Sequence, residues 1–385
     1  MIPYGKQSIS KEDIDRVTEV LNSDFLTQGP MVPIFEDKIS SYVGSKFSSA
    51  FNSATSALHG ACMSLGLSNG DILWTSAISF VASSNCGLYC GAEVDFVDIN
   101  PRTFNICPQE LSKKLLLAKK NNRLPKVLVV VHMCGQSSDM KHIYEICKSY
   151  SIKIIEDASH AIGGAYQNSK VGSCKYSDIT IFSFHPVKII TTGEGGVACT
   201  NSAKLKYNLD LTRSHGITKD KENLYSDLEE NWFYEQHTLG YNYRMTDIAA
   251  ALGVSQLERV DDFVKKRNKL ALKYDDLLSE SPLLLPRVID ESYSSFHLYV
   301  VLIDESKTDI KRIELYNHLF FDKKIGVNVH YIPIYKHPYY MALYKNFDEQ
   351  PNSENYYKRA LSIPMYPGLN DEELVYISDS IKEFF

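Results

Sequence analysis

Asp157 and Lys188 each stand at the end of a run that reads as a buried strand, and each carries a group able to do acid–base or covalent chemistry. Asp157 follows IKIIE (152–156) in the string EDASHA. A carboxylate in that position either caps the next helix or is held ionised against a cation such as a protonated pyridine nitrogen. Lys188 lies in SFHPVKIITTGEGG (183–196), where ITIFSF (179–184) runs into a loop. A lone loop lysine is ordinarily a solvated charge. Here Val187, Ile189 and Ile190 surround it with apolar side chains, which favours a neutral amine able to attack a carbonyl carbon. Gly193, Gly195 and Gly196 let the backbone pass close to a ligand. A third string, FNSATSALHGACMSLGL (51–67), sets Asn52, Ser53 and Thr55 before an apolar helix. Such a start caps the helix and also offers free N–H groups and a positive dipole end to a phosphate.

These groups need a sheet to hold them. VDFVDI (94–99), VLVVV (127–131), IKIIE and ITIFSF are short, β-branched runs that read as buried strands. DMKHIYEICKSY (139–150) puts Met140, Ile143, Ile146 and Cys147 on one helical face, so it crosses over between the strands at 127 and 152. The pattern predicts an α/β sheet covered on both faces. Ligands of such sheets sit at the carboxyl ends of the strands, where Asp157 and Lys188 stand. After about residue 250 one long amphipathic helix is expected, with Leu257, Val260, Val264, Ala271, Tyr274 and Leu278 on its stripe. Strands at 297–303 and 325–330 flanking a helix near 308–322, and a last helix after Asn370, complete the expectation. It divides the chain into a large domain, 1–250, and a smaller one, 251–385.

The 385 residues, 44% hydrophobic and 23% charged, suffice for a core without disulfides or metals. A net charge of −6 argues against nucleic acid or an anionic membrane as the main partner. None of the eight cysteines shows C-x-x-C spacing, and they read as reduced thiols of a cytoplasmic protein. The opening residues MIPYGKQSISKEDIDRV hold no apolar h-region, so no signal segment is expected, and the longest aliphatic run, 127–131, falls far short of the roughly 20 residues that span a bilayer. His59, His132, His330 and His337 show no metal-ligand spacing, so no metal is expected.

A phosphate seat, a carboxylate and a lysine are together what pyridoxal 5′-phosphate (PLP) requires. NSATSAL, EDASHAIG, SFHPVKIITTGEGG, RSHG (213–216) and LGYNYRMTDIAAALGVSQL (239–257) resemble, in order, the signature strings of the DegT/StrS family of sugar-nucleotide aminotransferases. The similarity runs from Tyr4 to about Pro367. It implies a fold type I PLP-dependent transferase, with a large mixed-sheet α/β domain and a smaller C-terminal α+β domain. It implies that Lys188 holds PLP as a Schiff base and then moves protons, that Asp157 pairs with the pyridinium nitrogen, and that His160 bonds near the ring hydroxyl. Ala54, Thr55 and Ser183 would hold the phosphate, and Phe80 would stack on the ring unless it is plain core packing. Asn242 would reach the phosphate of a neighbouring subunit, which makes the active unit a homodimer with shared sites. Tyr4, Leu26, Thr27, His185, Tyr331 and Pro333 would contact the nucleotide sugar. For Arg213 and His215, pyrophosphate contact and loop structure are both open.

Within the family, LTQG, FNSATSAL, ISFVAS, RSHG and HYIPIY are most similar to the branch that aminates a UDP-linked 4-keto-6-deoxy-N-acetylhexosamine of the L-altro series, in pseudaminic acid synthesis, with L-glutamate as donor. The chain departs from that branch at Asp24 and Phe25, where the branch carries Lys and Gln. The alternative is another nucleotide-linked keto sugar, a D-gluco UDP sugar or a dTDP or GDP sugar aminated at C3 or C4. Lys188 separates the chain from similar sugar 3-dehydratases, which carry His there. A regulatory binder of PLP or of a sugar nucleotide is a rival of a different class.

Overall fold

Seven five-residue strands form one mixed sheet: Phe47–Phe51 (β1), Ile72–Ser76 (β2), Glu93–Val97 (β3), Val127–Val131 (β4), Lys153–Asp157 (β5), Ile179–Ser183 (β6) and Gly196–Thr200 (β7). Their order is β1–β7–β6–β5–β4–β2–β3. Strands β2 to β6 run parallel, and β7 is antiparallel to both of its neighbours, β6 and β1. The computed structural model describes residues 1–226, 230–344 and 347–385. The four strands expected for the large domain are β3 to β6, and their ends fall within two residues of expectation.

Strand alternation sends successive side chains to opposite faces, and both faces are dry. Val127 and Val129 join Leu58, Ala61, Phe96 and Ile155 in one core. Leu128 and Val130 join Trp74, Leu111, Ile143 and Cys147 in another. The helix Met140–Lys148 buries Met140, Ile143 and Cys147, the face its spacing predicts. A further core sets Phe35, Phe182, Ile189 and Ile190 against the helix Asp247–Leu257.

Two expectations need correction. The amphipathic run after 250 is two helices, Asp247–Leu257 and Val260–Leu277. Arg259 leaves helical geometry between them (φ −108°, ψ 2°), and its guanidinium is tied to Asp13. The second helix packs Val260, Phe263 and Val264 on the core of the large sheet, and Leu270, Ala271 and Tyr274 on that of a small antiparallel sheet. That small sheet is Leu283–Leu284, Tyr299–Ile303 and Ala360–Ile363. The run 325–330 is not a strand: Ile325 and Asn328 make isolated bridges to Ile2 and Ser362. The N-terminal segment crosses Gly326 so closely that a Cβ there would lie 3.0 Å from both Ile2 O and Tyr4 N. The helix expected near 308–322 is Arg312–Asn317, continued by a wider turn through Asp322, and the last helix is Asp371–Lys382, capped by Asn370. Among the described residues no helix is long and apolar enough to cross a membrane.

A buried polar network also ties β4 to β5. Glu156 accepts from His132 Nε2 at 2.7 Å and from Thr180 at 3.0 Å, and His132 Nδ1 accepts the Ser138 N–H at 3.1 Å. Burial alone would raise the Glu156 carboxyl, but the bonds from His132, Ser177 and Thr180 outweigh it and hold the group below its ordinary 4.5. The ionised form is thus the folded form, and its contribution is present above 4.5 and is lost as pH falls through the depressed value. Glu156→Gln is expected to lose about 3 kcal/mol at neutral pH. In urea unfolding the gap to the wild type should narrow as pH falls below 4.5, whereas a gap of constant width would refute the assignment.

Candidate active site

The carboxyl ends of β1, β2, β5 and β6 open on a cavity of about 440 Å³. Ser53, Ala54 and Thr55 line it after β1, Phe80 after β2, Asp157 and His160 at β5, and Ser183, His185 and Lys188 after β6. Tyr4, His297, His330 and Tyr331 close the other side.

The helix Ala54–Ser64 begins at the cavity, with Ser53 Oγ accepting the Ser56 N–H at 3.1 Å. Its remaining first-turn N–H groups have no partner within the helix, which makes the start a seat for an anion. The first residue of β7 lies directly against it: a Cβ on Gly196 would come within 2.5 Å of Ala54 N, so only glycine fits.

Asp157 is 6% exposed and fully engaged. Ser83 donates to Oδ2 at 2.6 Å, while the Ser159 hydroxyl and N–H donate to Oδ1 at 2.5 and 3.2 Å. Ser79 supports Ser83 at 2.7 Å. The carboxylate is therefore fixed, and it bears on Lys188 as an attractive charge.

Lys188 sits in the loop joining β6 to the reversed β7. Phe184 N–H bonds to Gly195 O at 2.9 Å and Thr192 N–H to Phe184 O at 3.0 Å, so the loop is pinned at both ends. Ile189 and Ile190 anchor it in the core. The Nζ has no hydrogen-bond partner among the described residues, and it faces the cavity. Burial lowers its pKa to about 8, with the Asp157 carboxylate pulling the other way. The neutral, nucleophilic fraction of the cofactor-free protein should therefore climb through about pH 8. The rate at which this amine captures an aldehyde, followed against pH, checks that midpoint; one near the ordinary 10.5 would show that Lys188 is solvated.

Three of the cavity's imidazoles, those of His160, His297 and His330, are held toward the neutral form. Burial first, then the Lys188 charge and His330, hold His160 well below its ordinary value. Burial and Lys188 push His330 down to about 4. His297 is lowered in the same way, by burial first and then by its neighbours. His160 Nε2 meets Tyr331 Oη at 3.2 Å, and His330 Nδ1 meets Ser362 Oγ at 2.8 Å.

The expected residues Ala54, Thr55, Phe80, Asp157, His160, Ser183 and Lys188 thus share one cavity with Tyr4, His185 and Tyr331. Phe80 is 57% exposed, which removes the core-packing alternative. Four expected residues lie off the cavity. Asn242 is exposed and bridged to Ser214; Thr27 is bridged to Thr246, beside the exposed Leu26. Pro333 is buried at the start of the turn Ile334–Lys336, which is tied to Ala77 O through Ile334 N–H at 3.0 Å. Arg213 is structural: Glu36, Asp210 and Ala50 O hold its guanidinium. The sequence marks His330 only as lacking metal-ligand spacing, yet it is a wall residue, and it does not mark His297, Ser79, Ser83 or Ser159 as site residues. Of these, Ser83 lies in the first turn of the helix Ala82–Tyr89 and Ser79 in the bend before it.

An anion seat, a fixed carboxylate, an unpaired lysine of low pKa and a buried His160 Nδ1 without a partner are a donor set that fits PLP. The profile of the DegT/DnrJ/EryC1/StrS aminotransferase family matches residues 7–382. The chain is 37% identical over 385 residues to the spore coat polysaccharide biosynthesis protein SpsC of Bacillus subtilis, covering 99% of this chain and 96% of that one. It is 37% identical over 382 residues to the UDP-4-amino-4,6-dideoxy-N-acetyl-β-L-altrosamine transaminase of Campylobacter jejuni, with coverage of 99% and 96%. Among solved structures, Helicobacter pylori PseC, an aminotransferase involved in the biosynthesis of pseudoaminic acid, superposes with a TM-score of 0.90 at 33% identity, covering 100% of this chain and 99% of that one. The chain therefore belongs to the DegT/DnrJ/EryC1/StrS aminotransferase family and is a PLP-dependent aminotransferase of fold type I.

Proposed function

We propose that the enzyme moves the amino group of L-glutamate to the C4 keto group of a UDP-linked 4-keto-6-deoxy-N-acetylhexosamine of the L-altro series, on the route to pseudaminic acid. Similarity along nearly the whole chain to a transaminase of that name carries the reading. The likeness to PseC supports the same pathway. Action on a nucleotide-linked sugar is common to these relatives; the particular sugar is our assignment. We assign the enzyme to the cytoplasm, the compartment that nucleotide sugars and L-glutamate share.

Bound PLP supplies an electron sink that lets an amino group leave one carbon and later join another. Lys188 is assigned to hold it and to carry a proton to and from the reacting carbon, a task its pKa of about 8 suits near neutral pH. Asp157, fixed by Ser83 and Ser159, would keep the ring nitrogen protonated. Ala54, Thr55 and Ser183 would take the phosphate, His160 the ring hydroxyl, and Phe80 the ring face. Tyr4, His185 and Tyr331 are the side chains we assign to the sugar nucleotide, and Pro333 holds the turn that follows Tyr331. Leu26, Thr27 and Asn242 are exposed and off this cavity, so we assign them to the site of a second copy, in a homodimer with two shared sites.

Turnover with L-glutamate on 4-keto UDP sugars of the L-altro and D-gluco series, and on a 4-keto GDP sugar, tests the reading. The L-altro compound should lead in kcat/KM by about tenfold or more. A D-gluco or GDP sugar in the lead would reassign the substrate, and neglect of all three would sink the proposal.

A further inference from the structure

Lys188 Nζ bonds to nothing among the described residues, so its place in the cavity is set by the backbone of its loop. That loop is tied mainly to itself and to the end of β6. Thr191 Oγ1 donates to Phe184 O at 2.9 Å and accepts the Gly193 N–H at 3.0 Å, while Thr192 Oγ1 donates to Glu194 O at 2.8 Å. Among the described residues, one side chain from another element bonds to the loop. Gln256, near the end of the helix Asp247–Leu257, accepts the Thr191 N–H on Oε1 at 3.3 Å. Both residues are buried, Gln256 at 1% and Thr191 at 2% exposure, and neither lines the cavity.

An amide side chain can present its oxygen or its NH2, and the neighbours decide which. Gln256 Nε2 donates to Asp13 Oδ2 at 2.7 Å and to Ser8 O at 2.9 Å. A carboxylate and a carbonyl only accept, so the NH2 must face them and the oxygen must face Thr191. Asp13 is itself fixed: its Oδ2 also accepts the Ser10 N–H at 2.8 Å and the Arg259 guanidinium. Burial alone would raise the Asp13 carboxyl, but the bonds from Ser10, Ser255 and Gln256 and the charge of Arg259 outweigh it and hold the group below its ordinary 3.8. A continuous set of bonds thus runs from the N-terminal helix, Lys11–Leu21, through Asp13 and Gln256 to the loop of the lysine.

Packing brings that helix to the loop without setting its register. At Gly253 the approach is so close that a Cβ would lie 2.9 Å from Thr192 Cγ2 and 2.7 Å from Phe35 Cε2. Ile189 and Ile190 share a core with Val254 and Leu257. Apolar contact has no direction, whereas a hydrogen bond does. Gln256 stands three residues after Gly253 on the same helical face and supplies the direction.

We propose that Gln256 is a positioning residue for transamination: its carboxamide, oriented by Asp13 and Ser8, holds the Thr191 N–H and so sets where the loop presents Lys188 Nζ to the cofactor. This rests on the reading that Lys188 holds PLP, and names what places that amine.

The test is the rate at which the cofactor-free protein captures PLP, amine and aldehyde condensing with loss of water, followed by visible absorbance. A misplacement of about 1 Å can cost about 100-fold, so Gln256→Met, of equal length and without polar hydrogen-bonding groups, should slow capture about tenfold or more. In turnover kcat should fall by a similar factor while KM for the sugar nucleotide stays within about threefold. Gln256→Glu keeps the oxygen that Thr191 needs but sets a second carboxylate against Asp13. It should unfold at a lower temperature than Gln256→Met and yet capture PLP at least about threefold faster. A role in stability alone reverses that order of rates. Capture by Gln256→Met within about twofold of the wild type, or by Gln256→Glu no faster than by Gln256→Met, overturns the proposal. If Gln256→Met does not fold, Gln256→Asn, which draws the amide back by one methylene, decides: capture slowed about threefold or more is expected, and an unchanged rate overturns the proposal. Capture by Lys188→Ala at the wild-type rate overturns instead the reading of Lys188, and the inference with it.

Discussion

Lys188→Ala is expected to lower kcat by at least about ten-thousand-fold, because one side chain is asked both to hold the cofactor and to relay the proton. The fold should survive intact. The Nζ bonds to nothing among the described residues, and burial works against its charge, so its removal leaves no partner stranded. Thermal unfolding of the cofactor-free variant should match or exceed that of the wild type. Adding L-glutamate should convert the absorbance of the wild type and leave that of the variant unchanged. An active Lys188→Ala protein would refute the assignment of the site, whatever its substrate.

The second large effect is expected at Asp157. Asp157→Asn keeps the shape of the group, and the hydroxyls of Ser83 and Ser159 can turn to meet an amide. What it removes is a fixed negative charge, and a single preorganised electrostatic contact is worth about 100-fold to 1000-fold in kcat. The same substitution has a consequence that needs no turnover. Asp157 raises the pKa of Lys188 against the depressing effect of burial, so without it the midpoint should fall further below about 8. Aldehyde capture by the cofactor-free variant, measured against pH, should shift to lower pH; a shift upward, or none, would show that the two groups do not interact.

Much of this was legible in the sequence, for reasons that can be named. Strands β3 to β6 are short apolar runs covered on both faces, which is what such composition specifies. Asp157 and Lys188 stand at strand ends, where an α/β sheet binds its ligands, so spacing alone brought them into view. What stayed hidden depends on contacts between distant segments. The run 325–330 alternates like a strand, but the N-terminal segment takes its edge at Ile2 and leaves it two isolated bridges. The stripe from Leu257 to Val260 keeps helical spacing through Arg259, and the tie to Asp13 turns the backbone there. His297 and His330 carry no local signature; only the packing of the C-terminal part over the carboxyl ends of the strands makes them walls of the cavity.

That packing also sets a timetable. The groups facing Lys188 from the far wall, His297, His330 and Tyr331, all belong to the last third of the chain. A chain emerging from the ribosome completes the large sheet well before these residues exist, since domains fold from the N-terminal end as they are made. Until these residues dock, that side of the cleft is open to water, and the burial that lowers the Lys188 pKa is incomplete. The full nucleophilicity of that amine is thus acquired at the end of synthesis, when the last wall docks and drives the solvent out.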